Sequence, residues 1–309
     1  MSKKIFLKYN GRLGNRLFQY CLARIISNKL EKNLLINKNE SLFNRRKKDN
    51  WEDDTPLNEY KKSKTIDDDL EIFKNLSFNR LILEPPDIFN NLIKTIKCKE
   101  FKNYKIELND LNNLSCSIVL NGSFQNYKYY KDHKDKIKNW LSIDKKLNIL
   151  PGENDIVLHH RSGDITPGVY PNKDEQKKIK TEKHHICPFS YYTNILDKIS
   201  YNNVWIVAQD KNNNIVQDLK KKYNAKVISG YIIDDFLFMK NAKKIILSVS
   251  TLCWWAAWLS DATEIHYPLI GYWHPKTKQK CDLRVYDEKR YIYHDIVNEK
   301  YFLKYSDTK

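Results

Sequence analysis

The apolar positions of the chain fall into short runs separated by polar turns, and their spacing predicts alternating strands and helices. Ile5 to Tyr9 reads as a strand. Leu17, Phe18, Cys21, Leu22, Ile25 and Ile26 then recur at the spacing of one helix face, and Leu34-Leu35-Ile36 reads as a second strand. Gly11 and Gly14 fill the turn between the first strand and the helix. Strand, glycine turn, helix and strand make the opening of an α/β unit. Residues 38–115 break the pattern. Charge runs (Arg45 to Lys48, Lys61 to Lys64, Asp67 to Asp69) alternate with short apolar pieces, and Pro85-Pro86 stops any helix, so irregular structure with some helices is expected there. Ser117 to Leu120 reads as a buried strand ending in Asn121-Gly122, followed by a helix carrying Tyr130, Ile137, Trp140 and Leu141.

Beyond Pro151-Gly152 the alternation becomes regular. Strands are expected at Ile156–His159, Val204–Val207, Lys226–Ser229, Ile245–Val249 and Glu264–Tyr267, with helices near 189–199, 213–222, 234–242 and 252–260. Four such crossovers predict a parallel, doubly wound sheet with helices on both faces. The expected organisation is therefore two domains, 1–150 and 151–309, with the last ~30 residues of the chain packing back on the first domain. Ligands of such sheets bind beyond the carboxyl ends of the strands, so functional residues belong just after each strand.

Composition narrows the function classes. The chain has 54 basic and 38 acidic side chains, a net +16. That excess favours anionic partners without choosing among nucleic acid, phosphorylated ligands and acidic surfaces, and a solvated lysine-rich exterior explains it equally well. The apolar run Ile5-Phe6-Leu7 is too short for a signal-peptide core, and the stretch Ile245 to Leu259 is interrupted by Ser248, Ser250 and Thr251, so no membrane span is expected. Six scattered cysteines form no C-x-x-C pair, and Cys21, Cys116 and Cys253 sit in apolar segments like reduced core thiols. A soluble protein of a reducing, cytoplasmic compartment, bacterial or that of a virus's host, is expected, with peripheral membrane contact allowed. Asp67-Asp68-Asp69, His184-His185 and the cysteines match no metal-ligand spacing, so no metal is expected.

The candidate chemistry follows the strands. After the strand at 156 comes His159-His160-Arg161-Ser162-Gly163-Asp164. Arg161 suits a phosphate, because a guanidinium offers fixed paired donors and stays charged, and Asp164 can orient it. A structural salt bridge at a strand end is the plainer alternative. The loop that follows holds Lys177, Lys178, Lys180, Lys183, His184 and His185, and a long loop at this edge is more often functional than decorative. After the strand at 245 comes Ser248-Val249-Ser250-Thr251, then Trp254, Trp255 and Trp258. The two hydroxyls of Ser250 and Thr251 either cap the helix or hold an anion at its N-terminus. The tryptophans read as core. Asp234-Asp235 reads as a helix cap. Of eight glycines, Gly11, Gly14, Gly122 and Gly163 each follow a strand, a placement that suits backbone geometry.

Taken together, these segments resemble a known family. Gly11-Arg12-Leu13-Gly14-Asn15-Arg16-Leu17-Phe18-Gln19-Tyr20 resembles the G-G-L-G-N-Q-M-F-Q-Y opening of the α-1,2-fucosyltransferases, glycosyltransferase family 11. Asn121 to Tyr130 is similar to its G-Y-F-Q-S-E-K-Y-F, and His159 to Asp164 to its H-x-R-R-G-D. Cys187 to Tyr192 is similar to its L-P-x-x-Y-Y, and Ser250 to Leu259 to its S-S-F-S-W-W-A-A-W-L. The five motifs come in the family's order. The resemblance implies a GT-B-like enzyme, two Rossmann-type α/β domains facing a cleft, that transfers L-fucose from GDP-fucose to a glycan hydroxyl with inversion. It implies no metal and no cofactor beyond the donor, and a glycan or glycoconjugate acceptor. Arg161, with Ser248, Ser250 and Thr251, would hold the donor diphosphate. Gly11, Arg12, Gly14, Asn15 and Ser162 would join them, together with Asp210 and Asp235, which follow strands. Arg161, Asp164 and His159 are the catalytic candidates, the last two as base or as braces for Arg161. Gln125 and Tyr191 are acceptor candidates.

The departures from the family are informative. Ser162 stands for the second arginine, Val249 for an asparagine, and Arg12 and Arg16 for Gly and Gln. Arg12 or Arg16 is expected to replace part of the charge lost at 162. Another nucleotide sugar as donor, a non-catalytic nucleotide- or sugar-binding relative, and a nucleic-acid-binding protein are the rival readings. No nucleic-acid motif supports the last, and no nucleic-acid partner is expected.

Overall fold

The computed structural model of the chain describes residues 4–37, 41–42, 70, 72–81, 98–102, 111, 116–161, 186–276 and 281–296. These fall into two compact units that divide in sequence between Lys145 and Lys146.

The first unit carries β1 (Ile5–Leu7), α1 (Leu13–Leu30), β2 (Leu34–Asn37), β3 (Asn79–Leu81), β4 (Cys98–Lys102), β5 (Ser117–Asn121) and α2 (Lys134–Trp140). Its sheet has the order β3-β2-β1-β5-β4, and every pairing is parallel. Ile5, Phe6 and Leu7 pair with Ile118, Val119 and Leu120, and all six are fully buried, as two central strands covered on both faces require. α1 buries Leu17, Phe18, Cys21, Leu22 and Ile26 completely. It ends at Glu31, whose left-handed φ of 50° lets its N–H close on the Ser27 carbonyl. The irregular region expected over 38–115 contains β3 and β4. Both are outer strands, and their sequences, Asn-Arg-Leu and Cys-Lys-Glu-Phe-Lys, lack the apolar run of a central strand. The helix expected after Asn121-Gly122 is instead two short 3₁₀ turns, Tyr127–Tyr129 and Lys131–His133, leading into α2.

The second unit carries β6 (Ile156–His160), α3 (Phe189–Leu196), β7 (Val204–Ala208), α4 (Asn214–Tyr223), β8 (Lys226–Ile228), α5 (Ile232–Lys240), β9 (Lys244–Ile246), α6 (Thr251–Leu259), β10 (Glu264–Leu269) and β11 (Tyr291–Asp295). The sheet order is β11-β10-β9-β6-β7-β8, again all parallel. The class is α/β with two Rossmann-type units, the GT-B-like composition expected from sequence. The described part of the tail supplies β11, which pairs with β10 over Ile265–Leu269 and so completes the second sheet. Trp254, Trp255 and Trp258 are wholly buried, with Trp254 stacked on Trp258 and Trp255 edge-on to both, so they are core. Cys21, Cys187 and Cys253 are buried free thiols, and Cys116 is partly exposed. Among the described residues no helix is long and apolar enough to cross a membrane.

Candidate functional site

In the second sheet the chain runs outward from β6 through β7 to β8, then returns to the other side of β6 and runs outward through β9 and β10. The connections therefore leave the β6–β9 pair in opposite directions. That opens a crevice beyond the carboxyl ends of these two strands, where ligands of such sheets bind. Arg161 emerges there from β6, and Ser248-Val249-Ser250 emerges from β9 into the N-terminus of α6.

The two sides are tied directly. His159 Nδ1 lies 2.6 Å from the Ser248 hydroxyl. The Tyr192 hydroxyl donates to the His159 carbonyl at 3.1 Å and lies 3.1 Å from His160 Nδ1. Arg161 Nη1 donates to Gln209 Oε1, just beyond β7, at 2.9 Å. Ser250 occupies the N-cap position of α6, and its hydroxyl makes no capping bond. The Cys253 thiol, one turn into the helix, contacts the carbonyls of Ser248 at 3.3 Å and Ser250 at 3.2 Å and so fixes the loop from beneath.

The electrostatics keep both histidines neutral. Burial, then the Arg161 guanidinium and the His160 ring, push His159 down to about 3. Burial, with Arg161 adding to it, pushes His160 down to about 4. A base with so low a pKa abstracts protons poorly near neutrality, and the His159 ring is occupied with Ser248. His159 ties the end of β6 to the loop that follows β9. Ser162, Gly163, Asp164 and the lysines and histidines of 177–185 lie outside the described residues, as does Asp67-Asp68-Asp69. Among the described residues no cluster of three His, Cys, Asp or Glu could hold a metal.

The other candidates separate. Asp210 accepts from the Asn212 N–H at 2.9 Å in the turn after β7. Asp235 lies in the first turn of α5, not at its N-cap, and accepts from the Gly230 N–H at 3.0 Å. Burial, with Asp234 nearby, raises its carboxyl to about 6. Tyr191, expected to face an acceptor, is buried at 3% exposure. Its hydroxyl donates to the carbonyls of Leu247 and His266 at 3.0 and 3.2 Å, so it pins β9 to β10.

In the first unit the carboxyl ends of β1 and β5 lie side by side, and a junction of polar side chains follows them. Asn10 Nδ2 donates to Asn121 Oδ1 at 2.8 Å across it, and Gln125 Nε2 donates to Asn15 Oδ1 at 2.9 Å. Gly11 sits at φ +73°, and a Cβ there would come within 2.4 Å of Asn15 Nδ2, so the turn requires glycine. Arg12 is the half-buried N-cap residue of α1, and Gly14 is buried in the first turn. Arg16 is 3% exposed and donates to the carbonyls of Gly11, at 2.8 Å, and Ser41. It holds the glycine turn in place, a structural use of the charge that was expected to stand in for residue 162. Sequence reasoning missed Gln19, which is fully buried. Its Oε1 accepts from the Asn10 N–H at 2.8 Å and its Nε2 donates to the Asn10 carbonyl at 3.0 Å. The signal was a lone glutamine on the apolar face of α1. Phe124 adopts a left-handed φ of 49°, and its carbonyl accepts from the Tyr130 hydroxyl at 2.7 Å.

No family model matches the chain. An alpha-1,2-colitosyltransferase of Escherichia coli is 26% identical over 281 residues, covering 81% of this chain and 86% of the relative. The O-antigen biosynthesis glycosyltransferase WbnK of Escherichia coli is 26% identical over 288 residues, covering 81% and 88%. Among solved structures, the fucosyltransferase NodZ from Bradyrhizobium aligns with a TM-score of 0.47 at 11% identity, covering 86% of this chain and 95% of that one. The chain is a glycosyltransferase. Its similarity to these relatives accords with the α-1,2-fucosyltransferase motifs in its sequence.

Proposed function

We propose that this glycosyltransferase moves L-fucose from GDP-fucose to a hydroxyl of a glycan or glycoconjugate, forming an α-1,2 linkage with inversion and without a metal ion. The observation that carries the proposal is the β6–β9 crevice, where Arg161, Ser248 and Ser250 emerge on adjacent strand ends joined by the His159–Ser248 bond. The reaction breaks the bond between the sugar's anomeric carbon and a diphosphate oxygen. The acceptor oxygen forms the new bond from the opposite face and gives up its proton. Negative charge grows on the leaving diphosphate, and donors fixed in advance stabilise it most effectively. Arg161, the hydroxyls of Ser250 and Thr251 and the N–H groups opening α6 supply such donors. Asp210 and Asp235 would serve the rest of the donor. Gln125 would serve the acceptor. Asp164 is the candidate base for the acceptor hydroxyl.

A second reading concerns the sugar alone. Ser162 and Val249 depart from the fucosyltransferase motifs, and one relative is named for colitose, so a GDP-linked colitose is the alternative donor. The test is a thermal-shift and transfer assay with GDP-fucose, GDP-colitose and UDP-sugars, each with and without chelator. Stabilisation and transfer with GDP-fucose that survive chelation are expected. A response to UDP-sugars alone, or activity abolished by chelator and restored by a divalent ion, overturns the proposal. In the same assay Arg161→Ala is expected to lower turnover on the order of 10²-fold, the cost of losing one transition-state donor.

A further inference from the structure

We propose that Gln209 is a positioning residue for Arg161, and that its neutrality is what the site requires. The inference rests on Arg161 meeting the donor diphosphate. Gln209 directly follows β7, the strand beside β6, and its Oε1 accepts from Arg161 Nη1 at 2.9 Å. Its own backbone is tethered in turn, because the Ser229 hydroxyl beyond β8 donates to the Gln209 carbonyl at 3.4 Å. The contacts thus step across three strand ends, from Ser229 to Gln209 to Arg161, towards the β6–β9 crevice. They hold a long side chain that would otherwise lose rotamer freedom on binding.

The choice of an amide matters. A carboxylate at 209 would accept the same hydrogen bond more strongly, but it would bring a negative charge against the guanidinium that must attract a diphosphate. The amide oxygen directs the guanidinium and adds no charge. Geometry and electrostatics can therefore be separated by two substitutions of the same residue. Gln209→Glu keeps the acceptor and adds the charge. Gln209→Ala removes the acceptor and adds none.

The experiment titrates GDP into the wild-type protein, Gln209→Glu, Gln209→Ala and Arg161→Ala by calorimetry at low and high salt, with kcat and KM for donor transfer alongside. Gln209→Glu is expected to weaken GDP binding by about 10-fold or more, as like charges brought together do, and to flatten its salt dependence. Gln209→Ala is expected to weaken GDP binding by less, keep the wild-type salt dependence, and lower kcat more than it raises KM. Equal losses in both variants with a lowered melting temperature reduce Gln209 to a structural part and overturn the inference. So does wild-type behaviour in both while Arg161→Ala loses GDP. Wild-type GDP affinity in Arg161→Ala instead removes the diphosphate role of Arg161 itself. Gln209→Met, of similar length with no strong acceptor, takes the place of Gln209→Ala if that variant fails to fold, and is expected to match it.

Discussion

The two histidines at the end of β6 make stability fall in acid, and the loss can be worked from their surroundings. His159 is 7% exposed and His160 is fully buried. Their folded pKa values, about 3 and about 4, lie below the ordinary 6.5. In the unfolded chain both take up a proton as the pH falls through 6.5, while in the folded protein both stay neutral until about 4. The unfolded state therefore binds two more protons across this window. The stability their neutrality contributes is full above pH 6.5 and is lost as the pH falls towards 4. Each group costs a little over 1 kcal/mol per pH unit, so the pair costs about 3 kcal/mol per unit within the window. From pH 6 to pH 4.5 the loss is about 4 kcal/mol, a large share of the 5–15 kcal/mol that typically holds a domain together. The assay is urea unfolding at pH 7, 6, 5 and 4.5, comparing the wild-type protein with His160→Asn. Carboxylates titrate equally in both, so the difference isolates the imidazole. The wild-type slope is expected to exceed the variant's by about 1.4 kcal/mol per pH unit. Parallel slopes would show that His160 is not held neutral and would refute the reasoning.

The glycine turn of the first unit gives two more predictions. Gly11→Ala places a methyl group 2.4 Å from Asn15 Nδ2 in a left-handed backbone, so stability should fall by about 1–2 kcal/mol or more. A wild-type unfolding midpoint in urea contradicts this. Gln19→Ala strips the partners from the N–H and carbonyl of Asn10, each costing about 1–3 kcal/mol, so it should destabilise more than Gly11→Ala does. Hydrogen exchange at the Asn10 amide should also accelerate, and unchanged protection there argues against the clamp.

Much of this arrangement was legible in the sequence because burial leaves a local mark. β1, β5, β6, β7 and β9 are central strands, and their apolar runs announce them. β3 and β4 escaped because an outer strand needs no such run: its backbone pairs on one side whatever its side chains. At the site, the placement of Arg161 and Ser250 just after strands followed from the alternation alone, whereas the pairing of those two strands came from the fold. Three residues did not follow from the alternation. Arg16 and Gln19 are polar side chains buried beneath a turn that only the fold brings over them, and the helix pattern does not show which backbone groups they hold. Gln209 is an unremarked glutamine after a strand, and its meaning depends on β6 and β7 being neighbours, which is a fact of sheet order.

The tryptophan-clad helix has one more consequence. α6 is buried from Cys253 to Leu259, and the Trp254 indole is fastened to the Leu283 carbonyl at 2.7 Å. A rod gripped along its length cannot pivot to follow a charge as it moves. An anion arriving at its tip meets dipoles already aimed, and little energy goes into turning them. Any motion that admits or releases a ligand there must be made by other segments, and a cavity cut deep in the tryptophan cluster would loosen the grip from a distance.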